Sequence, residues 1–213
     1  MSETAKVLSD VTIELMVKNG DMTQEQADNR KCIVGLLESA EVDGMDFLVW
    51  EMDNNGFFKA PCSGQYHLSV PGGLAKHSLN VYDNMVKLNE TFKADIPNRS
   101  IILCGLLHDL GKAGDYGKDN YVPNILKSGK LSDAKPYETN KELLYIPHEV
   151  RSIAIAERYI RLTEEEEHAI YYHNGKYTHI GYDLKETPLM MILHFADMWC
   201  SRVVEIEEEK KGD

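Results

Sequence analysis

"IILCGLLHDLGK", residues 101–112, decides how the rest of the chain is read. Seven residues, Ile101 to Leu107, have the composition of a buried element, and a histidine and an aspartate follow directly. By composition the run fits a buried strand as well as a buried helix. Its length and its place among helical patterns favour a helix over 99–112. A carboxylate at the end of such an element is costly unless a base or a cation satisfies it, so Asp109 needs a partner.

On either side the pattern is helical. Apolar residues recur at spacings of three and four over 5–18 (Leu8, Val11, Leu15) and 24–39 (Cys32, Ile33, Leu36, Leu37). A further helix is expected over 44–54, ended by Asn54-Asn55-Gly56. A loop from Pro61 to Gly73 leads into a helix reaching about Leu88. Residues 113–146 mix Gly, Asp, Lys, Tyr and Pro with little period, which predicts a long loop with at most one short helix; loops of that length are usually functional. Pro147 opens a helix to about Leu162. Thr163 and Glu166 form a capping-box pair for a helix ending near His173, and Asn174-Gly175 stops it. Thr187-Pro188 starts the last helix, whose apolar stripe Leu189, Ile192, Leu193, Ala196 runs towards Asp197.

The expectation is therefore an all-α helical bundle: one domain over 56–205, an N-terminal helical extension (1–55) packed on it, and a charged tail (206–213). At 213 residues, with 43% hydrophobic residues and seven prolines, the chain can bury a real core. It carries no charged-then-apolar leader and no apolar run of about 18 residues, so neither secretion nor membrane insertion is expected. Cys32, Cys62, Cys104 and Cys200 are widely spaced, without a CxxC, as for reduced thiols in a cytoplasmic protein. Net charge is −12, and residues 1–70 hold five Lys/Arg against twelve Asp/Glu. Such a surface disfavours duplex nucleic acid, whose binding rests on cationic contacts. A small anionic substrate in a locally positive pocket stays open.

The residues that sit oddly are His77, His108, Asp109, His148, His173 and Asp197. Each has an ordinary explanation: a lone histidine is commonly a satisfied core group, His108-Asp109 a simple hydrogen-bonded pair, and Asp197 half of a buried ion pair. Their spacing does not force them together, and the residues alone lead only to a candidate metal site.

Read in order, "PGGLAKHS" (71–78), "LLHDLGK" (106–112), "IPHE" (146–149), "YYHNG" (171–175) and "LHFADMW" (193–199) resemble the HD-domain metal-dependent phosphohydrolase superfamily, whose pattern is H…HD…D. The resemblance covers about 56–205. Within it the chain is most similar to the six-ligand subgroup of HD-GYP phosphodiesterases and bacterial HD-domain 3′–5′ exoribonucleases, the latter through the GGL..H lead-in after Tyr66-His67. Two departures bear on substrate. Asp183 follows Gly181-Tyr182 where the HD-GYP signature has proline, which removes cyclic-di-GMP. The acidic first 55 residues are too short for an RNA-binding domain, which points away from processive RNA digestion.

The resemblance implies that His77, His108, Asp109 and Asp197 hold one divalent ion, and that His148, His173 and the bridging Asp109 hold a second. Such mixed imidazole and carboxylate ligands suit Mn, Fe, Co, Ni or Zn better than Mg. In two-metal sites, ions about 3.5–4 Å apart activate water and clamp the phosphoryl oxygens for in-line attack. Lys112 is then expected as a substrate-phosphate contact and catalytic cation beside Asp109, Arg151 as a second phosphate contact, and His67 as a substrate or supporting contact. For Lys112 the ordinary reading is a lysine snorkelling off a helix end. The loop 113–146 could cover the site and stack a base, or be merely structural. His168, His179 and His194 are set aside. The implied activity is hydrolysis of a phosphoester or phosphodiester of a nucleotide or short oligonucleotide; the alternatives are a degenerate HD module that binds a nucleotide as a regulator and a purely structural helical protein.

Overall fold

The computed structural model describes residues 7–175 and 184–206. Outside them lie the Gly181-Tyr182-Asp183 stretch, His179 and all of the expected charged tail beyond Ile206. Eight α-helices are described: α1 Asp10–Asn19, α2 Gln24–Ser39, α3 Met45–Asn54, α4 Gly73–Phe92, α5 Asn98–Leu107, α6 His148–Ala156, α7 Glu164–Tyr171 and α8 Pro188–Trp199. The fold is all-α apart from two small hairpins between α5 and α6.

Helix α5 is the axis of the bundle. Every residue from Ser100 to Leu107 is buried, as expected of a helix apolar all round. It is packed by α4, α7, α2 and α8. Its neighbour α4 comes very close because of Gly105: a β-carbon there would sit 2.9 Å from the Tyr82 Cα. One continuous apolar cluster, from Ile13 through Leu37, Leu48 and Leu106 to Cys200, includes residues of α1–α3. Burying a leucine such as Leu106 contributes about 2–3 kcal/mol.

Side chains cap four of the eight described helices, including the expected starts at Thr163 and Thr187. Ser9, Thr23, Thr163 and Thr187 each cap a helix through their side chains, and the boxes at Thr23/Gln26 and Thr163/Glu166 are both formed. The ends differ from expectation in places. Helix α1 starts at Asp10, later than the period suggested. Helix α4 runs past Leu88 to Phe92 and stops where Lys93 turns left-handed, with φ 52°. Helix α6 ends at Ala156, six residues early.

Two differences matter for function. The helix expected over 99–112 breaks at His108–Asp109: α5 ends at Leu107, and a separate 3₁₀ turn covers Leu110–Lys112. The segment 113–146 is no structureless loop but two antiparallel hairpins, β1 Gly114–Asp115 with β2 Lys118–Asp119, and β3 Tyr121–Pro123 with β4 Tyr137–Thr139. Two- and three-residue strands leave too little alternation to be read from sequence.

Candidate metal centre

Helix ends build the centre. His108 is the residue at which α5 stops, and His173 follows the end of α7. At a helix C-terminus the last carbonyls have no amide partners. His108 Nδ1 donates to the Gly105 carbonyl (3.1 Å), and His173 Nδ1 donates to that of Ile170 (2.7 Å). Each bond ties Nδ1 to the helix end and leaves Nε2 facing inward. His77, in the second turn of α4, is held by a carboxylate instead: its Nδ1 lies 2.8 Å from Glu205 Oε1. His148, the first residue of α6, has Nδ1 3.5 Å from Glu149 Oε2.

All four Nε2 atoms turn towards the same carboxylates. Asp109 Oδ2 lies 3.5 Å from His77 Nε2 and 3.4 Å from His108 Nε2. Asp109 Oδ1 faces His148 Nε2 at 3.1 Å and His173 Nε2 at 3.6 Å. Asp197, from α8, closes the first side with Oδ1 3.2 Å from His77 Nε2. Asp109 thus stands between His77 and His108 on one oxygen and His148 and His173 on the other. His77, His108, Asp109 and His173 are buried, while Asp197 and His148 reach the surface with 17% and 28% of their side chains exposed.

Burial alone would raise the Asp109 pKa, yet the Lys112 charge and then His108 override it and hold the carboxyl well below its usual range. Asp197 is likewise kept low against burial, chiefly by His77. Burial strips the proton from His173 and pushes its pKa down to about 3. His77 goes the other way: burial is outweighed by the Cys62 sulfur and by the Asp197 and Glu205 carboxylates, so its pKa stands well above the ordinary value.

His77 Nε2, His108 Nε2 and Asp109 Oδ1 are buried without a hydrogen-bond partner. Three polar atoms crowded together in a dry interior without such partners are costly unless an ion satisfies them. The atoms of His77, His108 and Asp197 lie within 4.8 Å of one another, as do those of His108, Asp109 and His173. The donor set therefore fits divalent ions with nitrogen and oxygen ligands. All six residues expected as ligands come together here.

The other candidates divide. Lys112 reaches Asp109 Oδ2 at 2.6 Å from the rim. Gly111 is needed for that path, since a β-carbon on it would overlap the His148 carbonyl; its amide donates to Ser152 Oγ, 2.8 Å. Arg151 is buried and donates to the Leu144 carbonyl (2.7 Å), with Asp115 3.4 Å away and that aspartate gripped more tightly by Arg158. His67 lies behind the centre, its Nδ1 2.6 Å from Glu205 Oε2, a pairing that with the Cys62 sulfur lifts its pKa to about 9 despite burial. His194, set aside in the sequence, donates from Nδ1 to the His173 carbonyl (2.7 Å) and so steadies a ligand. Asn174 donates to Glu149, which orders the His148 side. Glu205 carries no sequence signal, because it reads as an ordinary charged residue near the tail, and Glu149 enters the sequence reading only as the last letter of IPHE.

A comparison with family models matches the HD domain over residues 74–198. The match takes in His77, His108, Asp109, His148, His173 and Asp197 and leaves His67 and Glu205 on either side of it. No curated protein and no solved structure matches the chain.

Proposed function

Since more than half of this chain matches the HD-domain model and it belongs to that family, whose members are generally metal-dependent phosphohydrolases, we propose that it hydrolyses a phosphoester or phosphodiester bond of a nucleotide or short oligonucleotide. The observation that carries this reading is Asp109, a buried carboxylate set between two pairs of inward-facing imidazoles. His77, His108, Asp109 and Asp197 would hold one divalent ion, and His148, His173 and Asp109 a second. Such ions supply Lewis acidity to the phosphoryl group and lower the pKa of the attacking water.

The protein's own groups do the rest. Lys112 places a positive charge at the exposed rim, where a phosphoryl oxygen would arrive, and would stabilise charge that builds there. A cavity of about 120 Å³ adjoins it, lined among others by Asn120, Tyr121, Thr139, His148 and Arg151. Most of its wall comes from the 113–146 segment, chiefly residues 143–146 after β4 with Tyr121 and Thr139 of the second hairpin, which gives that segment a place in substrate selection. A net charge of −12 favours a short anionic substrate over a polymer.

The test is metal analysis of the purified protein together with Mn²⁺-stimulated hydrolysis of bis-p-nitrophenyl phosphate, against Asp109→Ala. Bound transition metal and turnover, both lost in the variant, are expected. Protein that binds no divalent ion and stays inert with each one added overturns the reading. Metal without turnover on any phosphoester leaves the family's fold without its chemistry.

A further inference from the structure

The geometry points to Glu205 as a positioning residue that holds His77 in its metal-facing orientation, with His67 clamping the other side of the same carboxylate. The inference rests on the metal reading above and concerns residues that lie outside the 74–198 family match.

Glu205 is fully buried. Its Oε1 accepts from His77 Nδ1 (2.8 Å) and from Asn80 Nδ2 (3.1 Å), and its Oε2 accepts from His67 Nδ1 (2.6 Å). A buried carboxylate is costly unless its oxygens are filled, and here three donors from two separate segments fill them. The His67 ring also packs edge-on to that of His77, with centroids 4.9 Å apart. A carboxylate behind a metal-facing histidine fixes the tautomer and makes the ring a better ligand.

The backbone explains how Glu205 reaches this place. Asp197 faces one nitrogen of His77 and Glu205 the other, eight residues later on the same helical run. In a continuous α-helix, residues eight apart stand about 80° apart around the axis. Between them Cys200–Val204 form a π turn. Its wider i→i+5 pitch takes in an extra residue and rotates Glu205 back towards the face of Asp197. A π turn that brackets one imidazole between two carboxylates has a use in holding that imidazole. The same ring is the first histidine of the family pattern, so the chain's flanks brace the family's own ligand.

The experiment uses the full chain and Glu205→Ala, with three readouts: Co²⁺ titration followed by visible absorption, ¹⁵N NMR of the neutral His77 ring at alkaline pH, and thermal unfolding. Removing such a partner costs about 10–100-fold in metal affinity. The expected result is a loss of that size for one ion with a changed cobalt spectrum, the ion on the His148 and His173 side being unaffected. The His77 ring shifts from the Nδ1–H tautomer to a mixture. If Glu205→Ala does not fold, the isosteric Glu205→Gln carries the same measurements with a smaller expected loss. A folded variant with wild-type cobalt affinity, spectrum and His77 tautomer overturns the inference. Wild-type protein that binds no Co²⁺ refutes the metal reading instead, and the ring NMR then decides the role of Glu205 by itself.

Discussion

Lys112 Nζ stands 2.6 Å from Asp109 Oδ2, joining a cationic side chain at the rim to the carboxylate between the two imidazole pairs. Asp109 raises the Lys112 pKa well above its ordinary value, in spite of burial. Lys112 is therefore charged at any working pH, and a role in substrate binding would not depend on its titration.

Lys112→Met is expected to keep bound metal and lower kcat by about 100-fold, the usual cost of one lost charge-stabilising donor. Steady-state kinetics with metal analysis of the same sample checks this. A variant with unchanged kcat assigns Lys112 to the helix-end role alone.

Metal affinity should fall as pH is lowered. The His77 pKa is raised well above its ordinary value, so Nε2 must release a proton before it can ligate. Below that pKa, proton and metal compete; above it they do not, and affinity levels off. His173, at about 3, is neutral throughout and adds nothing to the slope. For the metal-free fold the sign is reversed: the raised His77 pKa contributes stability below the unfolded value of about 6.5, lost as pH rises through the folded one. Calorimetric titration in two buffers of different ionisation enthalpy should show net proton release on binding, and none would contradict this account.

Glu166 joins the helices that carry the two C-terminal histidines. It is buried, receives Arg99 Nη1 (2.7 Å) and Ser100 Oγ (2.8 Å) from α5, and closes the capping box of α7 on Thr163 N (2.8 Å). Glu166→Ala should destabilise the protein by about 3 kcal/mol. Thermal unfolding would then drop by roughly 6–12 °C. Glu166→Gln, which keeps part of the box, should lose less.

Tyr121 lines the cavity beside Lys112. If its hydroxyl meets substrate, Tyr121→Phe should raise KM about fivefold, the worth of one hydrogen bond, and leave kcat unchanged. A fall in kcat without a change in KM would move Tyr121 from binding to chemistry.

The sequence made the bundle and its ligands legible for different reasons. Apolar spacing and side-chain caps such as Thr163/Glu166 are local, and they hold wherever the helix goes. The six candidate ligands were legible as an ordered set of motifs, not by their spacing, since nothing between His77 and Asp197 forces them into contact. Hairpins of two and three residues were below the reach of periodicity. Glu205 was hidden because its place depends on a π turn, which shifts the helical register by a residue without leaving a compositional mark.

By itself, then, the sequence determined that the chain folds as helices around an apolar α5 and, through its ordered motifs, which side chains are candidate metal ligands. Only the tertiary structure decided which nitrogen each histidine turns inward, that Arg151 is held by Leu144 and Asp115, and that His67 and Glu205 stand behind His77. The physical reason is range. Helix formation and capping are settled within a few residues, whereas a buried polar group takes whatever partner the packing brings, here from as far as 138 residues along the chain.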